Sequence, residues 1–351
     1  MRYFTRLRAG LAALCALGLT TTALAACGEG GAGGDAAKAC TEGLPAGTQT
    51  VRLGVQPGAQ DLITFVMQNQ GFDDKYKLKL DIKKFQNPSG LHAAIGEKVV
   101  DIGFGGLTAM AVARARGRGT VIFNVLTGPS NIVFVRKDSP IASFADLKGK
   151  KLGAFGGRSS ATFGIQSVVA RETYGIENLG KDVDILDAPD SALMGLLDQG
   201  RVDAALVGTT ATVKALLSGK YRALSDMADD YTKKFGRPPG HVTLASNDDY
   251  ANEHCGVLKA FSGALAESLA FLQKDDAIWA TYAKQIEIDD PRAPAMLKQR
   301  VGSRYITKWD DAQVKAETTL IQRLIPVLGE DAFVSEVPKG LFRTDLQVAR
   351  S

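Results

Sequence analysis

Apolar positions along the chain follow two alternating rhythms. Short runs such as 51–55 (VRLGV), 100–104 (VDIGF), 121–126 (VIFNVL), 151–155 (KLGAF) and 202–207 (VDAALV) are bounded by glycine or polar turn residues. They have the length and β-branched character of strands, and the stretches between them carry apolar residues three and four apart, as helices do. The first part of the body reads as strands at 51–55, 78–84, 100–104 and 121–126, with helices at 61–70, 89–96 and 108–116. A second part reads as strands at 151–155, 183–186 and 202–207, with helices at 160–174, 191–199 and 210–218. Ser89, Ser159 or Ser160, and Ser191 stand where an N-cap hydroxyl accepts orphan helix N–H groups. Beyond residue 248 the pattern is helical, at 252–273, 276–283, 294–301 and 310–328. Trp279 and Trp309 fall in that region and read as packing residues.

The two parts are related. Residues 88–109 and 189–211 align once one residue is inserted after the proline, so that Ser89/Ser191, Leu91/Leu193, Asp101/Asp203, Gly106/Gly208, Thr108/Thr210 and Ala109/Ala211 coincide. Upstream, 51–58 parallels 150–157, with Gly54 matching Gly153. Alternating strands and helices, met twice, predict an α/β fold of two similar lobes, each with a mostly parallel sheet. Two extended segments, 132–136 and 241–246, read as paired crossing strands between the lobes. The expected division is residues 50–133 and 245–351 for the first lobe and 134–244 for the second, with the helical C-terminal region packed on the first.

Charge changes the picture at the N-terminus. The chain has 42 Lys+Arg against 38 Asp+Glu, formally +4, but Arg2, Arg6 and Arg8 account for three of those charges and no acid precedes Glu29. The rest is close to neutral, which argues against a nucleic-acid-binding surface. Three arginines, the apolar run 11–19 and small residues up to Ala26 describe a secretory signal over 1–26. That run is too short to span a bilayer, and no later stretch is read as long enough. The residues Leu24, Ala25, Ala26 and Cys27 resemble the lipobox of bacterial lipoproteins, which implies lipidation of Cys27, with ordinary signal cleavage as the alternative. The Gly-rich run 28–34 fits a flexible tether, expected to continue to residue 49.

With Cys15 in the signal and Cys27 at the lipobox, Cys40 and Cys255 remain. An exported pair can form a disulfide, and two free thiols are the alternative. His92, His241 and His254 show no metal-ligand spacing, so no metal or other cofactor is expected. The chain carries no GxSxG elbow, no HExxH, no Walker A loop and no GxGxxG between strand and helix, so an enzyme is not expected.

Five stretches then resemble one known family: 71–78 (GFDDKYKL), 100–103 (VDIG), 146–153 (DLKGKKLG), 157–161 (GRSSA) and 200–204 (GRVDA). They are similar to the extracytoplasmic solute-binding proteins of ABC importers, in the group holding sulfonate, taurine and nitrate binders with thiamine-pyrimidine-precursor binders. The resemblance implies a type II periplasmic-binding-protein-like fold, a small-molecule solute, a membrane permease as partner and a monomer held at the outer face of the cytoplasmic membrane by its lipid alone, or a periplasmic protein. After the strand at 202–207 many sulfonate and nitrate binders carry an aromatic residue, whereas Gly208, Thr209 and Thr210 stand here.

Parallel sheets place ligands beyond the carboxyl ends of their strands, beside helix N-termini. The expected solute contacts are Gln56, Gly106, Thr108, Thr127, Ser130, Arg158, Ser159, Ser160, Thr209 and Thr210. The turn 155–162 (FGGRSSAT) is the most informative of these stretches, because glycines let backbone approach a ligand and a helix start suits an anion. Arg158 adds a cation able to grip a carboxylate or sulfonate with two N–H groups. A small organic anion is therefore the first expectation, and a neutral pyrimidine-type precursor the alternative. An exported sensor or enzyme on the same fold is the rival outside transport.

Overall fold

The computed structural model describes residues 39–348, apart from 57, 86–87, 156–157, 159 and 330–331. The signal segment, Cys27 and the Gly-rich run lie outside the described residues, as does Ser159.

In the first lobe the order is β1 (Gln49–Val55), α1 (Ala59–Asn69), α2 (Phe72–Lys75), β2 (Leu78–Lys84), α3 (Pro88–Gly96), β3 (Ile102–Gly106), α4 (Leu107–Ala115) and β4 (Thr120–Thr127). The second lobe repeats it: β5 (Ile132–Arg136), β6 (Lys151–Ala154), α5 (Ala161–Tyr174), α6 (Leu179–Asp182), β7 (Asp184–Asp187), α7 (Asp190–Asp198), β8 (Ala204–Val207), α8 (Thr209–Ser218), β9 (Tyr221–Asp226) and α9 (Met227–Phe235). The chain then returns through β10 (Val242–Asn247).

The two sheets run β2-β1-β3-β10-β4 and β7-β6-β8-β5-β9. Replacing each strand of the first by its counterpart in the second gives the same order, so the internal repeat is a repeat of topology. β1 is parallel to both β2 and β3, and β6 to both β7 and β8. Each sheet also holds one antiparallel strand: β10 between β3 and β4, and β5 between β8 and β9. Each sheet is therefore mixed but mostly parallel, with one strand running against the other four.

Segments 132–136 and 241–246 do not themselves cross. Ile132, Val133, Phe134 and Val135 are all buried, and an apolar run covered on both faces belongs inside a sheet. The crossings are the loops beside them, at 128–131 and 236–241. β5 thus lies wholly in the second lobe and β10 wholly in the first, which moves both expected boundaries by a few residues.

The repeated aspartates have one structural task. Asp101 Oδ2 accepts the Arg52 backbone N–H at 2.8 Å, and Asp203 Oδ2 accepts that of Lys151 at 2.8 Å. Each carboxylate ties the start of its third strand to the first strand of the same lobe. Asp101 is buried and also grips the Arg52 guanidinium, whereas Asp203 is exposed.

The C-terminal region divides between the lobes, contrary to the expectation that all of it packs on the first. It comprises α10 (Asp248–Glu253), α11 (Cys255–Lys274), α12 (Ala277–Gln285), α13 (Ala293–Arg300) and α14 (Asp311–Leu328). α11 packs on α1 and α2, but α14 lies on α5 and α13 meets α8. Leu320, Ile321 and Leu324 of α14 share one apolar cluster with Phe163 and Val168 of the second lobe and with Leu107 and Met110 of the first. α11 is 20 residues long with a mean hydropathy of 1.4, so it meets the length and composition of a membrane span, contrary to expectation; it is mostly buried in the first lobe's core. Trp279 and Trp309 are buried, their Nε1–H groups donating to the Leu272 and Arg343 carbonyls.

Cys40 and Cys255 are joined, with Cα atoms 5.7 Å apart. The Cys40 N–H donates to Asp345 Oδ2, and Glu42 Oε2 accepts the Gly256 N–H. The chain is thus pinned to α11 from Cys40 onward, some residues before the expected end of the tether.

Candidate functional site

Ser160 caps α5, accepting the Phe163 N–H at 3.1 Å. Ser89 and Ser191 lie inside the first turns of their helices, because α3 starts at Pro88 and α7 at Asp190. Those helix starts and the carboxyl ends of the strands of both sheets face a cleft of about 940 Å³. A ligand pocket occupies about 300–1,000 Å³, so the space suits a small organic molecule.

Gln56, Gly106, Thr108, Thr127, Ser130, Ser160, Thr209 and Thr210 line this cleft. Phe104 and Phe155 border it as well, Phe104 fully buried in its strand and Phe155 half-buried. Arg158 stands apart from the described lining: it is exposed, and its Nη1 lies 3.6 Å from where a Cβ would stand on Gly180 of α6. The guanidinium therefore lies against the second lobe's own surface. Several lining hydroxyls are engaged within the protein. Ser130 Oγ and Thr209 Oγ1 are 2.5 Å apart, and the Gln56 N–H donates to Gln60 Oε1 at 2.9 Å.

The lining also includes His92, Asp187, Asp190, His241 and Arg304. Asp187 stands directly after the segment read as a strand at 183–186, and His92 and His241 sit on segments read as helix and strand, whereas Asp190 and Arg304 fall between the segments so read. His92 and Asp190 occupy matching places. The Gly106 N–H at the end of β3 donates to His92 Nε2 at 3.0 Å, and the Gly208 N–H after β8 donates to Asp190 Oδ1 at 2.7 Å. A glycine before a Thr-containing helix start, found in both repeats, was the available signal; the side chain meeting its amide differs between lobes and gave none.

Burial pushes the His92 imidazole down to about 4, so it is neutral near pH 7, with Nε2 as the acceptor and Nδ1 carrying the proton. Burial also brings His241 down to about 4; its Nε2 lies 3.1 Å from Thr162 Oγ1 of α5. Burial raises the Asp190 carboxyl, with the Gly208 amide opposing it. Arg304 is held by two carboxylates: Nη1 donates to Asp229 Oδ1 at 2.7 Å, and Nη2 to both oxygens of Asp226 at 3.2 Å. Among the described residues no group of three or more His, Cys, Asp or Glu could hold a metal ion.

The sequence profile of the family described as NMT1/THI5 like matches residues 60–277, more than half of the chain. The chain belongs to the NMT1/THI5-like family. Relatives in this family include the 4-amino-5-hydroxymethyl-2-methylpyrimidine phosphate synthase of Schizosaccharomyces pombe, 31% identical over 93 residues, 26% of this chain and 27% of that protein. The synthase THI12 of Saccharomyces cerevisiae is 33% identical over 109 residues, 30% of this chain and 32% of that protein. The matched segment thus spans about a third or less of either relative. Among solved structures, the periplasmic aliphatic sulphonate binding protein SsuA from Escherichia coli has a TM-score of 0.68 at 21% identity, covering 83% of this chain and 96% of that one. The alkanesulfonate-binding protein SsuA from Xanthomonas axonopodis pv. citri, bound to MOPS, gives 0.64 at 20% identity, covering 82% and 99%. At these identities the likeness establishes the periplasmic-binding-protein fold.

Proposed function

We propose that the protein is the exported solute-binding component of an ABC importer, holding a small organic solute between its lobes and delivering it to a membrane permease. The observation that carries this reading is the cleft of about 940 Å³, set at the strand ends of two topologically equivalent sheets that are joined by two short crossings. Such an arrangement closes on a ligand by hinge motion and needs no covalent step. The names of the sulfonate-binding neighbours support the role. Lipidation of Cys27 tethers the body to the outer face of the membrane in this reading; Cys27→Ala should abolish palmitate labelling and release the protein from the membrane fraction.

In this reading the pyrimidine-type solute stands ahead of the organic anion. Arg158 does not line the cleft, and Arg304, the one Lys or Arg there among the described residues, is already paired with two carboxylates. A second reading, an exported enzyme, draws on the synthase names of the yeast relatives, which match over a minor part of their length.

A thermal-shift panel of pyrimidines, sulfonates, carboxylates and phosphonates on protein lacking the signal tests the proposal. Ligand at 100 times its dissociation constant adds about 2.7 kcal/mol, worth roughly 5–10 °C for domains of this size. A shift confined to one chemical class is expected, and a flat panel would overturn the reading.

A further inference from the structure

We infer that the cleft selects a solute carrying a hydrogen-bond-donating nitrogen, an amino or amidino group, and that Asp190 is the residue that reads it. The inference rests on the solute-binding reading and adds to it the chemical feature recognised and the residue that recognises it.

The argument starts from the repeat. In open α/β sheets the amide heading the helix after a strand is a ready seat for an anion. At two of the strand-to-helix junctions facing the cleft, the N-cap amides Gly106 N–H and Gly208 N–H are already bonded to protein acceptors, His92 Nε2 and Asp190 Oδ1. At these two positions the N-cap donor is taken, and beside one of them an incoming anion meets a carboxylate.

The charge of the lining points the same way. Asp187 and Asp190 both border the cleft. Arg304 offers them little compensation, because Asp226 and Asp229 hold its terminal nitrogens, and Asp226 is shared with Arg300. His92 and His241 are neutral near pH 7, since burial brings both down to about 4.

Asp190 is also built to present one oxygen. Oδ1 is fixed by the Gly208 amide, while Oδ2 has no hydrogen-bond partner among the described residues and lies 3.1 Å from where a Cβ would stand on Gly208. Glycine at that position leaves room for the carboxylate to lie over the strand end. Its free lone pairs border the cavity, held in place before any ligand arrives, and a donor nitrogen satisfies them where a sulfonate repels them.

The test uses three probes and one isosteric variant. In Asp190→Asn the side-chain oxygen can still accept the Gly208 N–H, while the open acceptor becomes an NH2 donor. Calorimetric titration would compare 4-amino-5-hydroxymethyl-2-methylpyrimidine, the same ring without the 4-amino group, and ethanesulfonate. The wild-type protein should favour the amino compound over its deaminated analogue by about tenfold to a hundredfold, as for hydrogen bonds to a charged group. That preference should vanish in Asp190→Asn, with the ligand-free melting temperature unchanged or raised. Tighter binding of ethanesulfonate by the wild type, an amino preference that survives in the variant, or no binding of the amino compound would each overturn the assignment. In the last case a hit elsewhere in the wider panel leaves solute binding standing and removes only the role given to Asp190.

Discussion

Glu317 offers a direct test of how the return crossing is held. It lies on α14, fully buried, with Gln313 Nε2 donating to Oε1 at 2.6 Å and the Gly240 backbone amide against its carboxylate. Gly240 lies on the crossing into β10, and a Cβ there would run into the carboxylate. Burial pushes Glu317 up to about 7 from an ordinary 4.5, while Gln313, the Gly240 amide and the Arg237 charge oppose the rise. A raised folded-state value means that the folded protein binds the proton more tightly than the unfolded chain. Its contribution is fully present below pH 4.5 and is lost as pH rises through about 7. A difference of about 2.5 units at 1.36 kcal/mol each makes ionised Glu317 cost about 3 kcal/mol above pH 7. Glu317→Gln keeps the shape and stays neutral. Urea unfolding from pH 5 to 8.5 should give stabilities within about 1 kcal/mol of each other at pH 5, with the variant pulling ahead by up to about 3 kcal/mol at pH 8. His92 and His241, lowered by burial, impose the opposite slope between about pH 4 and 6.5, equally in both proteins, so the difference isolates Glu317. A gap between the two proteins that does not change with pH would refute the reasoning.

Two further outcomes follow from the packing. Cys40 and Cys255 close a loop with a sequence separation of 215, so Cys255→Ser should cost about 2–5 kcal/mol, and intact-mass analysis should show a gain of about 2 Da on reduction; two alkylatable thiols in the native protein would contradict the bond. Asp101→Ala should destabilise more than Asp203→Ala, about 2 against 1 kcal/mol by thermal unfolding, because only Asp101 is buried and paired with an arginine side chain; equal losses would remove that distinction.

Much of the fold was legible because strands buried on both faces leave continuous apolar runs, as in β4 and β8. The duplication was legible for the same reason: Asp101 and Asp203 cap equivalent strands, and Gly106 and Gly208 end equivalent strands. β9 and α9 left no clear period, since few of their positions are covered: in α9 only Met227, Ala228 and Tyr231 are buried, among charged residues. The split of the C-terminal helices between lobes was hidden because an apolar stripe shows that a helix is covered and not by what. The cleft's hydroxyl and glycine positions could be read from strand ends. Its charge balance could not, since Asp190, His241 and Arg304 come from three distant parts of the chain, and nothing in the local pattern shows that Arg158 is exposed away from the cleft.

The central claim is that a solute sits between the lobes, beside the start of α8. Thr210 lines the cleft without a role in the core, so Thr210→Trp fills space there while leaving the fold intact. Calorimetric titration of 4-amino-5-hydroxymethyl-2-methylpyrimidine, with any compound active in the thermal panel, into both proteins is the most direct measurement. The account predicts saturable one-to-one binding to the wild type and its loss in Thr210→Trp at an unchanged melting temperature. Binding of equal strength to both proteins, or none to the wild type, would contradict it.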